Sequence, residues 1–326
     1  MTETTFITDP AELGAMLSLP APEVTEALAV GESLPLRIPR KLVERITKGN
    51  PDDPILSQFW PKKQERLGVP GFTDDPLGEF SAPNAVSGER LPTALLWKYA
   101  GRALVMTRGA CAANCRFCFR RHLPQAAPPD WKEIASFLEN HKEIEEVILS
   151  GGDPLGLPPR QLETAFHYIG GLSFVKRVRI HTRYPILLPS RLTQEMLRLL
   201  EEVRKTGKNL PLVFHINHPA ELASDTTECL RTLNERHFPL FSQTVLLRGV
   251  NDRASILKEL FTKEFRIGVI PYYLHQLDRV AGAAHFEVPV SEGLAILDKL
   301  RQDLPGYLVP RYVREQTGVP SKLSLG

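Results

Sequence analysis

Residues 109–122 read GACAANCRFCFRRH, and three of the four cysteines of the chain fall inside them, as Cys111, Cys115 and Cys118. The CxxxCxxC spacing lets three thiolates converge on one face of a short loop. Ahead of it runs an apolar stretch, Ala103-Leu-Val-Met-Thr107, that reads as a buried strand. A strand that delivers its chain into a cysteine loop builds a metal site. Three thiolates are one fewer than a structural zinc site or a fully ligated iron-sulfur cube takes. A [4Fe-4S] cluster held this way keeps one iron open to a non-protein ligand. The competing reading is a zinc knuckle that borrows a distant histidine, or three unconnected cysteines.

The open-iron arrangement resembles that of the radical S-adenosylmethionine (SAM) enzymes. There SAM chelates the free iron, and an electron passed from the cluster yields a 5′-deoxyadenosyl radical. The residues after the third cysteine narrow the family: CRFCFRRH, with Phe119, Arg120, Arg121 and His122, resembles the lysine 2,3-aminomutases. It is most similar to the short bacterial branch that makes (R)-β-lysine for the modification of translation elongation factor P.

A chain of 326 residues has material for one large α/β barrel with a smaller appendage, or for two domains. Its formal charge of +2 implies no obligatory nucleic-acid or membrane partner. There is no signal peptide and no run of about 18 apolar residues. The cysteines do not form a disulfide framework, and a reducing cytoplasm is expected. Cys229 reads as a small core residue.

Residues 1–95 are punctuated by proline and read as a mostly helical segment, with helices at 9–19, 21–29 and 39–48. Asp9-Pro10 is an N-cap followed by proline at the first helical position. No site is visible in this segment. From 96 to 305, strands at 103–107, 146–150, 175–181, 212–216, 242–247 and 267–274 alternate with helices at 130–141, 159–169, 193–206, 226–236, 255–264 and 291–302. Such alternation is the signature of parallel strands with helices outside. Six units cannot close an eight-stranded barrel, so the expected fold is α/β, a partial (β/α)6 TIM-like radical SAM barrel. Its chemistry belongs at the C-terminal ends of the strands. Residues 306–326 are expected to fold back over the barrel mouth, because Tyr307-Leu-Val-Pro310 and Tyr312-Val313 are apolar this near a terminus.

The resemblance covers roughly residues 91–325 and implies a site. Cys111, Cys115 and Cys118 hold the cluster, and Gly151, Gly152 and Asp153 match the glycine-rich turn that meets the SAM amino group. His215 and Gln243 match further SAM contacts, whereas His181, Arg183, Asn217 and His218 match family text without an assigned role. Lys322, in Gly-Val-Pro-Ser-Lys, matches the lysine that forms a Schiff base with pyridoxal 5′-phosphate (PLP), and Arg102 and Lys98 match residues that hold this cofactor. Longer relatives carry arginine at the place of Lys98, and lysine cannot make the same forked contact. Asp278 and Glu315 are the implied receptor for the ε-ammonium of L-lysine, with Arg120 on its carboxylate.

The activity implied is a lysine 2,3-aminomutase with [4Fe-4S], SAM and PLP as cofactors and a flavodoxin or ferredoxin as electron donor. Its functional partners are elongation factor P and its lysyl ligase. Longer aminomutases add cysteines, a zinc site and an interlocked C-terminal extension; this chain ends four residues after Lys322, so neither zinc nor their tetramer is expected. Two other readings stand beside this one. An aminomutase for glutamate would keep the cysteines and Lys322 but has little use for Asp278 and Glu315, and a metal-binding barrel without activity would hold only zinc.

Overall fold

The computed structural model describes residues 5–30, 34–81, 83–107, 109–122 and 127–326. The N-terminal segment opens with β1 (Phe6–Ile7), which pairs antiparallel with β2 (Ile38–Pro39). Between them lie α1 (Pro10–Leu17) and α2 (Ala21–Val30). Asp9 caps α1 by accepting the Ala11 N–H at 2.8 Å, as the Asp-Pro pair implies. The helix expected over 39–48 is much shorter, as α3 (Arg40–Val43). Arg45 and Ile46 donate only three residues back, and Asp53 Oδ2 takes the Thr47 N–H at 3.0 Å. A side-chain acceptor here outcompetes the next helical turn.

Nine strands then form one sheet in sequence order: β3 (Leu95–Tyr99), β4 (Arg102–Met106), β5 (Glu146–Ser150), β6 (Arg177–Thr182), β7 (Leu212–His215), β8 (Leu240–Val245), β9 (Ile270–His275), β10 (Arg311–Arg314) and β11 (Leu323–Ser324). All pairings from β4 through β10 are parallel, and β3 and β11 join the two edges antiparallel. The connections carry α4 (Trp131–Glu139), α5 (Pro159–Gly171), α6 (Tyr184–Leu187), α7 (Gln194–Lys205), α8 (Ser224–Glu235), α9 (Ala254–Arg266) and α10 (Val290–Asp303). Each longer helix turns an apolar stripe to the sheet; α7, for instance, buries Met196, Leu197, Leu200 and Val203.

The six expected strand-helix units run from β4 to α10, and the tail adds a seventh parallel strand, β10. The sheet stays open, a partial barrel, and its edges approach through side chains: Tyr99 at the end of β3 donates to Glu315 Oε1 at 2.5 Å. Ile7, Leu13, Phe59 and Trp60 of the N-terminal segment share one apolar cluster with Val105, Leu149, Ile180 and Phe214 of the strands.

Candidate active site

The cysteine loop between β4 and α4 is fastened from outside by the N-terminal segment. Backbone donors of Asn114 and Arg116 reach the carbonyls of Arg37 and Gln58 at 3.0 and 2.8 Å, and Arg37 Nε reaches Cys111 O at 3.2 Å. Behind the loop, the fully buried Arg116 lays its guanidinium on Glu65, Nε to Oε1 at 2.7 Å, and Arg121 Nη2 joins the same carboxylate at 2.7 Å. The loop is therefore preformed by charge and backbone bonding rather than by local propensity.

Inside the barrel lies a cavity of about 620 Å³, and every residue expected in the site lines it. At the strand ends sit the three cysteines, with Gly151, Gly152 and Asp153 in the turn after β5. His215 and Gln243 face the same space from β7 and β8, and Asp278 from beyond β9. Arg120, Lys98 and Arg102 enter from the cysteine loop and the first strands, and Glu315 and Lys322 from the tail.

Burial pushes all three thiols up, Cys118 to about 11 and Cys111 well above its ordinary value, and the sulfurs of Cys115 and Cys118 add to the shift of Cys111. Burial favours the protonated form of these thiols, and a bound metal centre takes them as thiolates. Among the described residues no group of three His, Cys, Asp or Glu closes on a single ion. An iron-sulfur cube, which takes each thiolate on a separate iron, fits this donor set.

Gly152 cannot carry a side chain, since a Cβ would lie 2.2 Å from Ala110 O of the cysteine loop; Gly151 sits at φ +99°. The turn after β5 is thus pressed against the loop. Both oxygens of Asp153 are taken within the protein, by Thr182 Oγ1 at 2.7 Å and by the backbone N–H groups of Leu155, Arg183 and Tyr184. Its side chain secures the turn, and the turn offers a ligand backbone rather than that carboxylate.

At the far side of the cavity Lys322 Nζ pairs with Glu315 Oε2, one register step before the Arg314 and Leu323 pairing of β10 and β11. Burial pulls Lys322 down to about 8, against the opposing field of Asp278, and burial lifts Asp278 to about 6. Lys322 is a half-buried, paired amine rather than a solvated charge. Tyr99, Tyr272 and Tyr273 surround this end, with Arg102 stacked 4.2 Å over the Tyr99 ring. His181, His215 and His275 also face the cavity; burial pushes His215 down to about 3 and the other two well below the ordinary value, so all three are neutral.

Glu79 was not expected. It comes from the segment in which no site was visible, lines the cavity, and forks Arg120 at 2.7 and 2.9 Å. Lys98 completes the cluster, 3.5 Å from Glu79 Oε1. Burial pushes Glu79 up, and the two cations overcome this and hold it below the usual carboxylate range.

The Radical SAM superfamily matches residues 105–260, from the end of β4 through the cysteine loop and strands β5 to β8. The L-lysine 2,3-aminomutase of Haemophilus influenzae is 41% identical over 97% of this chain and 92% of its own length. The chain belongs to the lysine 2,3-aminomutase family. The Escherichia coli L-lysine 2,3-aminomutase is 40% identical over 98% of this chain and 92% of its own length. The one from Clostridium subterminale is 33% identical over 88% of this chain and 68% of its own length. Streptococcus suis SuiB, solved with its precursor peptide SuiA, superposes on 68% of this chain and 50% of its own with a TM-score of 0.50 at 13% identity, a likeness of fold alone. Membership makes the chain a radical SAM isomerase and implies a [4Fe-4S] cluster, SAM and PLP as its cofactors.

Proposed function

We propose that this chain converts L-lysine to (R)-β-lysine, depends on PLP bound at Lys322, and supplies the β-lysine that modifies elongation factor P. The observation that carries the reading is an amine from the tail, half-withdrawn from water and lowered to about 8, in one cavity with three cysteines, Asp278 and Glu315. The short relatives match this chain over nearly their whole lengths, which supports the elongation factor P branch. No helix among the described residues is long and apolar enough to cross a membrane, and the working compartment we propose is the cytoplasm, with a flavodoxin or ferredoxin as electron donor.

When bound, the cofactors supply a carbon-centred radical derived from SAM and an aldehyde that carries the migrating nitrogen. Cys111, Cys115 and Cys118 would hold the cluster, the Gly151 turn, His215 and Gln243 would hold SAM, and Lys322, Arg102 and Lys98 would hold PLP. Asp278, with Glu315 once Lys322 leaves it, would pair with a substrate ammonium, a charge that needs a partner away from water. Arg120 would turn Nη1, which now donates to Ser150 Oγ and Gly151 O, to a carboxylate at the other end. The neutral imidazoles line the wall without adding charge.

Anaerobic reconstitution with iron, sulfide, SAM and PLP, followed by assay on L-lysine and L-glutamate, tests the reading. β-Lysine from lysine alone is expected, with no product and no visible PLP-lysine absorbance in Lys322→Ala. Product only from glutamate, or full activity in Lys322→Ala, overturns it. Unmodified elongation factor P in a strain lacking this chain is the matching cellular result.

A further inference from the structure

We propose that Arg183 is a positioning residue for the cluster, a permanent donor to the Cys115 sulfur that sets the potential at which the cluster takes up its electron. Arg183 follows the last residue of β6 and is 7% exposed. Its Nη1 lies 2.8 Å from Cys115 Sγ, and its Nη2 donates to Gln58 Oε1 at 2.5 Å and Glu221 Oε2 at 3.0 Å. Glu221 is fully buried and immobile, because its other oxygen accepts from Gln58 Nε2 and from the backbone of Asn217 and His218. The rings of Phe59 and Phe117 flank the guanidinium, with centroids 5.2 and 5.8 Å away.

A guanidinium never accepts a hydrogen bond and keeps its charge at every physiological pH. Glu221 neutralises it, and the remaining arm is aimed at a sulfur that must act as the acceptor. That is a site built for a thiolate. Hydrogen bonds to cluster sulfurs withdraw electron density from them and stabilise the reduced state, which raises the reduction potential. The step concerned is the uptake of one electron from a one-electron reductant, with no bond made or broken. The inference rests on the family's cluster and is independent of which amino acid is rearranged.

The experiment is a redox titration followed by electron paramagnetic resonance on the anaerobically reconstituted full chain. Arg183→Gln removes the charged donor, and the pair Arg183→Gln with Glu221→Gln does so without stranding a buried carboxylate. A midpoint potential more negative than the parent's is expected in both at unchanged iron content, with Arg183→Lys in between. An unshifted midpoint in the double variant, or loss of iron from both variants, overturns the proposal. A shifted midpoint in a protein that never forms β-lysine would sink the lysine assignment and leave this one standing.

Discussion

Arg120 meets Glu79 with Nε and Nη2 and is left with Nη1, which lies 3.2 Å from Ser150 Oγ and 3.4 Å from Gly151 O. A guanidinium already gripped on one side has a single direction left in which to receive a carboxylate. Glu79→Ala frees Arg120 to swing and strands two cations, so the KM for lysine should rise about tenfold or more, equivalent to about 1.4 kcal/mol, with a smaller fall in kcat. Glu79→Asp should recover part of the loss, and an unchanged KM in Glu79→Ala would remove Glu79 from substrate binding. At the opposite end, Lys322 becomes a free amine as pH rises through about 8, and Asp278 holds that value up against burial. Asp278→Asn takes the opposing carboxylate away, so the pH midpoint for PLP attachment, read from visible absorbance, should move downward; an upward move contradicts the assignment. The cysteines stand out by their local spacing and Lys322 only by the match of Gly-Val-Pro-Ser-Lys to the family motif, and the fold brings both to one cavity. Glu79 was not legible, because its partner lies 41 positions away and only the fold selects the pair.

Strands β4 to β9 and their helices were legible for a reason of the same kind: apolar runs and amphipathic stripes state their period in a short window. β10 and β11 were not, since Arg-Tyr-Val-Arg and Leu-Ser are too short to carry a period and become strands only by pairing with β9 and with each other. Periodicity also hides what a helix does on its buried face. Glu264 of α9 is fully buried; it accepts from Ser242 Oγ at 2.6 Å and leaves Oε1 without a partner. Burial lifts its carboxyl from 4.5 to about 8. The folded chain therefore keeps a proton that the unfolded chain has lost, and the stability it contributes is complete below the unfolded value and falls as pH rises through about 8. Glu264→Gln keeps the acceptor for Ser242 and removes the titration. Its melting temperature relative to the parent should be higher near about pH 9 than near about pH 5; an identical difference at the two values would mean that Glu264 is ionised throughout.

Across the whole molecule, the N-terminal segment and the barrel are joined by an apolar cluster and by buried ion pairs, of which Glu65 with Arg116 is the deepest. Glu65 and Arg116 are both fully buried, 51 positions apart, and Arg121 adds a second cation to the same carboxylate. Burial raises Glu65, yet the two guanidiniums bring it below the usual carboxylate range, so the pair is ionised. Such a pair need not exceed a well-packed apolar replacement in stability, but breaking it from one side leaves a charge with no solvent and no partner. Glu65→Ala is therefore expected to cost about 3–5 kcal/mol in denaturant unfolding. Glu65→Leu combined with Arg116→Met should recover most of that loss. The recovery should appear in stability and not in cluster retention, because Arg121, which ties the Arg116 carbonyl of the cysteine loop to Glu65, still lacks its carboxylate. In a Trp97→Phe, Trp131→Phe background, Trp60, 1% exposed in the N-terminal segment, reports on that segment by fluorescence, while circular dichroism follows the barrel helices. The two signals should fall together in that background. A fluorescence transition at lower denaturant than the dichroism transition would show that the segment unfolds alone, and the barrel would then have to hold the cysteine loop without it.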